Sequence, residues 1–192
     1  MVLYHGTTIL AFESIISKGI LADINENTEL DYGKGFYASF PEDISYAKAH
    51  AKNVTRDVLG IQNLKRNAVL IKIEIDEKYF CDEFVFEKKN GKWVDFVFDT
   101  RYNYLNENIP YKIIIGPMAD GTVDSLMQVY KKNENNRSQI MNKLLKHIIK
   151  FCYRLPFNMH RQIVIKDQAI CNKIEIVRAT TLKGDVIYEQ KK

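Results

Sequence analysis

Apolar and polar positions follow two rhythms along this chain, and the changes of rhythm mark its elements. Val2–His5 reads as a short strand. Thr8 stands where a helix cap belongs, ahead of a helix over Ile9–Lys18 whose Phe12, Ile15 and Ile16 share one face. Gly19 is placed to stop it, and the polar run Ala22–Leu30 is a surface loop. Gly35–Ser39 is the next strand. Pro41, followed by Glu42 and Asp43, opens a helix to about Leu59 with Ile44, Ala47, Ala51, Val54 and Val58 inward. Ala68–Ile75 alternates as a half-buried strand does. Trp93, Phe96, Val97 and Arg101 have helical spacing, and Lys112–Ile115 is a buried strand ended by Gly116-Pro117. Two further helices are expected, Ala119–Tyr130 and the strongly amphipathic Ser138–Tyr153. Three strands follow, at Gln162–Ile165, Ile174–Val177 and Val186–Tyr188. Helices crowd between strands without alternating one for one, which predicts an α+β fold in one domain over residues 1–192.

Composition narrows the setting. With 192 residues, 46% of them apolar and 27% charged, the chain reads as an ordinary globular domain. No apolar run reaches the length of a membrane span, and the first residues lack the pattern of a signal peptide. Three scattered cysteines (Cys81, Cys152, Cys171) offer neither a disulfide framework nor zinc spacing, so a reducing cytoplasm is the expected compartment. His5, His50, His147 and His160 lack paired-ligand spacing, and no metal is expected. The net charge of +4 is uneven: nine Lys/Arg stand against the single acid Glu134 between Lys131 and Lys166. That stretch reads either as a footprint for nucleic acid, an acidic partner or a phosphate, or as a solvated helix face.

Chemistry concentrates in three places. His5-Gly6-Thr7 ends the first strand, Asp31-Tyr32-Gly33-Lys34-Gly35-Phe36-Tyr37 enters the second, and Gln162 starts a late one. A histidine at a strand end can hold a ribose hydroxyl. The glycine after it leaves one N–H and one C=O open to a planar carboxamide. Tyr37, beside backbone freed of bulk by Gly33 and Gly35, offers a flat face for a ring. This set is complementary to nicotinamide riboside, the reactive end of NAD. Cleaving its glycosidic bond needs positioning and charge stabilisation more than a strong acid or base.

Those residues resemble the His-Gly-Ser/Thr and Gly-Lys-Gly-x-Tyr signatures of the ADP-ribosyltransferases of the diphtheria-toxin and poly(ADP-ribose) polymerase branch. Gln162-Ile163-Val164-Ile165-Lys166-Asp167 resembles that branch's strand beginning with the catalytic glutamate. A closer resemblance is to an uncharacterised bacterial and archaeal family of the same superfamily, on Leu3–Thr7, Asp31–Tyr37, Trp93–Val97 and Ile115–Gly121. The resemblance implies two packed, mainly antiparallel sheets with an NAD cleft between them. It also implies transfer of ADP-ribose to a macromolecular acceptor, protein or nucleic acid, by the toxin of a toxin–antitoxin pair with a small partner protein.

The resemblance and the reading of the residues themselves make one assignment, with His5, Tyr37, Gln162 and Asp120 as catalytic candidates. It gives His5, Gly6, Thr7, Gly35, Tyr37, Ser45 and Arg101 as contacts to NAD, the co-substrate. Gln162 stands where the family carries glutamate, which points to transfer of a single ADP-ribose or NAD hydrolysis rather than polymer growth. Asp120 is then the carboxylate that replaces the missing charge, or a turn former. Arg101 binds pyrophosphate or pairs with Asp95 or Asp99. Three alternatives stay open: an RNA 2′-phosphotransferase-like enzyme consuming NAD, an inactive NAD/ADP-ribose-binding module, and a nucleic-acid-binding protein.

Overall fold

Strand β1 (Val2–Thr8) runs past the predicted His5 because strand β3 (Ala68–Glu74) pairs with its whole length, from Val2 opposite Glu74 to Thr8 opposite Ala68. The computed structural model describes residues 1–23, 30–81, 83–102, 109–119 and 160–191. Helix α1 (Ile9–Lys18) starts at the expected cap, where Thr8 Oγ1 accepts from Ala11 N at 3.1 Å, and stops at Gly19 with φ of 81°. Its inner stripe is narrower than predicted: Phe12 and Ile15 reach the core, while Ile16 is 46% exposed.

Strand β2 (Phe36–Ser39) is followed by a 3-10 turn, Pro41–Asp43, that leads into helix α2 (Ile44–Leu59). After the one-turn helix α3 (Leu64–Asn67) and β3 comes β4 (Glu83–Val85), a short strand that the pattern had not shown. Helix α4 (Gly91–Tyr102) bears out the helical spacing around Trp93, with Trp93, Val94 and Val97 fully buried. Strands β5 (Ile113–Pro117) and β6 (Arg161–Ile165) follow, then the single turn Gln168–Cys171 and strands β7 (Glu175–Thr181) and β8 (Val186–Glu189). The helices expected over 120–130 and 138–153, Cys152 and His147, and most of the basic stretch 131–166 lie outside the described residues.

The eight strands form one sheet in the order β4-β5-β6-β2-β1-β3-β7-β8, antiparallel throughout except for β4 with β5. The expected α+β class and mainly antiparallel pairing hold; among the described residues the strands form one sheet rather than the expected pair. Its two halves are joined at a seam where β1 and β2 share a single register pair, Tyr4 with Ser39.

Strict alternation sends the two faces into separate cores. Leu3, Ile71, Ile73, Ile113, Ile163 and Ile165 face α1. Ile114 and Val164 meet Trp93, Val97 and Phe98 of α4 on the other side. Helix α2 lies across β1 on that second face, and only small residues fit the crossing. A Cβ on Gly6 would fall 1.8 Å from the Ala47 carbonyl oxygen. The buried stripe of α2 is accordingly Ala47, Ala51 and Thr55, which turns the predicted Val58 outward to 66% exposure. Among the described residues no helix is long and apolar enough to cross a membrane.

Because the atom in the way at Gly6 belongs to backbone, Gly6→Ala must displace α2 from β1. A loss of about 1–3 kcal/mol or more is expected, read as a lower urea midpoint. An unchanged midpoint would contradict the close approach.

Candidate functional site

Strand pairing fixes which way each backbone group of β1 points. Met1 and Ile75 exchange both of their bonds, N–H to O at 2.7 and 3.0 Å. Hydrogen-bonded pairs alternate along an antiparallel ladder, so Leu3, His5 and Thr7 face β3 while Tyr4 and Gly6 turn their N–H and C=O toward β2. Tyr4 meets Ser39 there. The next partner in register for Gly6 would be Tyr37, whose carbonyl lies 2.7 Å from His5 Nδ1. A carbonyl only accepts, so Nδ1 carries the proton and donates. The β1–β2 register ends at this point, with the second edge of Gly6 on the side of β1 that faces Tyr37.

His5 suits that work because it is neutral. Burial lowers its pKa to about 4, with the nearby His50 imidazole pushing the same way and the bond to Tyr37 opposing. Its ring rests 4.7 Å from that of Phe36. Burial also lowers the pKa of His50, on α2 one turn beyond Ala47. The spacing of His50 from other histidines had marked it only as a poor metal ligand, because proximity through the helix crossing at Gly6 leaves no trace in sequence.

The loop before β2 is bound at every residue. Asp31 is buried and takes four bonds (below), and Tyr32 is fully buried, donating its hydroxyl to Pro117 O at 2.7 Å and accepting from Trp93 Nε1 at 2.8 Å. Gly33 has φ of 75°, which suits glycine, and its carbonyl accepts from the Tyr37 hydroxyl at 2.7 Å. Lys166 Nζ donates to the carbonyls of Tyr32 at 2.9 Å and Lys34 at 2.7 Å, and burial lowers its pKa to about 8. A Cβ on Gly35 would fall 2.4 Å from Val164 Cγ1, so this glycine serves close packing of the loop on β6. Tyr37 closes the loop, its hydroxyl also accepting from Tyr32 N at 3.1 Å, and burial raises its pKa well above the ordinary value, so it stays a donor.

Asp31 joins the loop to the rest of the site. Its Oδ1 accepts from Arg101 Nε at 2.9 Å and again from Arg101 Nη2. Its Oδ2 accepts from Ala119 N at 2.8 Å and from Gln162 Nε2 at 2.7 Å. Arg101, expected on a pyrophosphate or on Asp95 or Asp99, thus engages a carboxylate that spacing had not indicated, and also donates to Ala119 O at 3.1 Å. Gln162 is buried on β6, in register with Ser39 of β2 and Gly116 of β5. Since a carboxylate can only accept, the amide nitrogen must face Asp31, which leaves Gln162 Oε1 as the acceptor turned elsewhere.

His5, Gly6 and Tyr37 therefore meet at the seam, the His5 ring on the sheet face it shares with Leu3 and Phe36, and the Tyr37 ring and Gln162 on the other face, with Gln162 one strand away. Thr7 is buried and shares the core-facing side of β1 with His5. Ser45 is exposed in the first turn of α2, close in sequence to Tyr46 and Ala47. Asp120 lies outside the described residues. Sequence reasoning missed Asp31, although it belongs to the motif that drew attention, and missed the pairing of His160 with Asp43.

A glutamate at 162 would stand against the Asp31 carboxylate. Gln162→Glu should be less stable than the native chain, and the deficit should widen as pH rises through the carboxylate range, because the added acid resists ionising in the folded state. Urea unfolding at pH 5 and pH 8 measures it; an equal gap at both would remove the like-charge argument. His5 predicts acid sensitivity. Above about pH 6.5 neither the folded nor the unfolded chain protonates it, so it is neutral to stability. As pH falls toward its folded pKa of about 4, the unfolded chain takes a proton that the folded chain refuses, and stability drops. His5→Asn should lose part of that drop in midpoint between pH 7 and pH 5.

No curated protein matches the sequence. Residues 1–175, nearly the whole chain, match the family described as "Protein of unknown function (DUF3990)", and the protein belongs to that family.

Proposed function

We propose that the seam binds NAD and that the protein transfers a single ADP-ribose to a macromolecular acceptor, releasing nicotinamide. The observation that carries this reading is the edge of Gly6 beyond the last β1–β2 register pair, beside a Tyr37 carbonyl that His5 bonds. A carboxamide has one donor and one acceptor in a plane, the complement of that edge, and the ring attached to it would lie against Tyr37. His5 presents a neutral imidazole whose Nε2 accepts from a ribose hydroxyl. Gln162 Oε1 takes a second hydroxyl. The motif resemblance set out above supports the same assignment, and its toxin and antitoxin association belongs to the proposal. Departure of the leaving group here needs no general acid, because nicotinamide leaves neutral, and grip and orientation supply much of the rate.

A second reading, binding of NAD without turnover, has one observation in its favour: the residue at 162 carries no charge and its amide nitrogen is committed to Asp31. Nicotinamide release separates the two.

Calorimetry with NAD and with its deamido analogue tests the Gly6 edge. The analogue presents a carboxylate, which cannot donate to the Gly6 carbonyl, and should bind about 10- to 100-fold more weakly. Equal affinity, or no binding of NAD at all, would remove the proposed site. Tyr37→Ala should abolish labelled nicotinamide release, whereas Tyr37→Phe keeps the ring and should retain NAD affinity within a few-fold if it folds.

A further inference from the structure

Just ahead of β6 stands a second histidine bound to a carboxylate. His160 Nδ1 lies 2.6 Å from Asp43 Oδ1, and Asp43 Oδ2 accepts from Arg161 N at 2.9 Å. Asp43 is itself buried in the 3-10 turn that leads into α2, so two donors and its surroundings hold the carboxylate still. The carboxylate can only accept, and Nδ1 must carry the proton whenever the ring is neutral. The lone pair is then on Nε2. Tyr46 of α2 covers one side of the ring, centroid to centroid 3.9 Å. The side chain is 17% exposed, and among the described residues no group bonds Nε2.

Its position matters as much as its tautomer. Met118 N donates to His160 O at 3.0 Å, which continues the β5–β6 ladder one step beyond Arg161. Two residues apart on an extended strand, His160 and Gln162 project from the same face, roughly 6–7 Å from each other. That face is the one that carries Tyr37 and α2. A base oriented by a carboxylate, two residues from a glutamine that cannot take a proton, is an arrangement for deprotonating a nucleophile.

We propose that His160, oriented by Asp43, is the general base of the reaction and that the acceptor it serves is a hydroxyl. The inference rests on the NAD reading above. A carboxylate or thiolate acceptor attacks without losing a proton, whereas a hydroxyl must give one up. The bond from the ribose C1′ to the nicotinamide nitrogen breaks, its electron pair leaving with nicotinamide, which becomes neutral. The hydroxyl oxygen bonds C1′, and its proton passes to His160 Nε2. Asp43 stabilises the resulting imidazolium. Among the described residues, the titratable groups that meet the ring are Asp43 and, on α2, Tyr46.

Water serves as the hydroxyl probe. The full chain is incubated with nicotinamide-labelled NAD over about pH 5–8, and release is compared in the wild type, His160→Asn and Asp43→Asn, with NAD affinity measured by calorimetry. Asparagine at 160 keeps an N–H toward Asp43, so a merely structural role predicts near-native behaviour. The base role predicts a wild-type rate that rises with pH and a His160→Asn rate about 100- to 10,000-fold lower without that rise, at unchanged NAD affinity. Asp43→Asn should fall between the two. Release by His160→Asn within threefold of wild type, or loss of NAD affinity in parallel with rate, overturns the base while leaving the NAD reading intact. A wild type that binds NAD but releases no nicotinamide overturns the base and the transfer reaction together. A wild type that binds no NAD overturns both proposals.

Discussion

The bond from His5 Nδ1 to the Tyr37 carbonyl competes directly with sheet formation. The same carbonyl lies next in line for the Gly6 N–H, and the β1–β2 register stops at Tyr4 and Ser39. The side chain of one residue thus substitutes for the backbone of the next, and the ladder ends where the substitution occurs. The substitution needs a donor that stays neutral in a place poor in water, which an imidazole provides and a lysine would not. Helix α2 then sets the other wall, since the glycine that leaves its edge open also lets Ala47 approach it.

Around that opening the Asp31–Tyr37 loop is held by contacts from α4, β5 and β6. Tyr32 ties it to Trp93 and Pro117, Lys166 ties its carbonyls, and Asp31 gathers Arg101, Ala119 and Gln162 onto one carboxylate. Burying the Asp31–Arg101 pair is costly unless both members are fully bonded, and here the backbone of Ala119 and the amide of Gln162 complete the set. Gln162 is consequently a member of a charge-neutralised cluster as much as a member of the site. Its lack of charge follows from its neighbour.

Much of this was legible before any coordinates. The Thr8 cap, the Gly19 stop and the α4 spacing are local chemistry, written in adjacent residues, and each appears where expected. His5, Gly6 and Tyr37 were legible as a set because each is a residue type with one special capacity. What stayed hidden depends on contacts between residues distant in sequence: Asp31 with Arg101, His160 with Asp43, and the seam itself. Val58 was misread inward because periodicity alone cannot register that a glycine across the way demands the smallest stripe of α2.

The single register pair at the seam also bears on how the chain is divided. On one side stand β2, β4, β5 and β6, on the other β1, β3, β7 and β8. Taking the described strands in chain order, the polypeptide changes side four times, between β1 and β2, β2 and β3, β3 and β4, and β6 and β7. Neither half is therefore a contiguous fragment that could be expressed, inherited or lost by itself. The architecture looks divisible across its width and is interleaved along its length, so its narrowest backbone junction is not a boundary between separable parts.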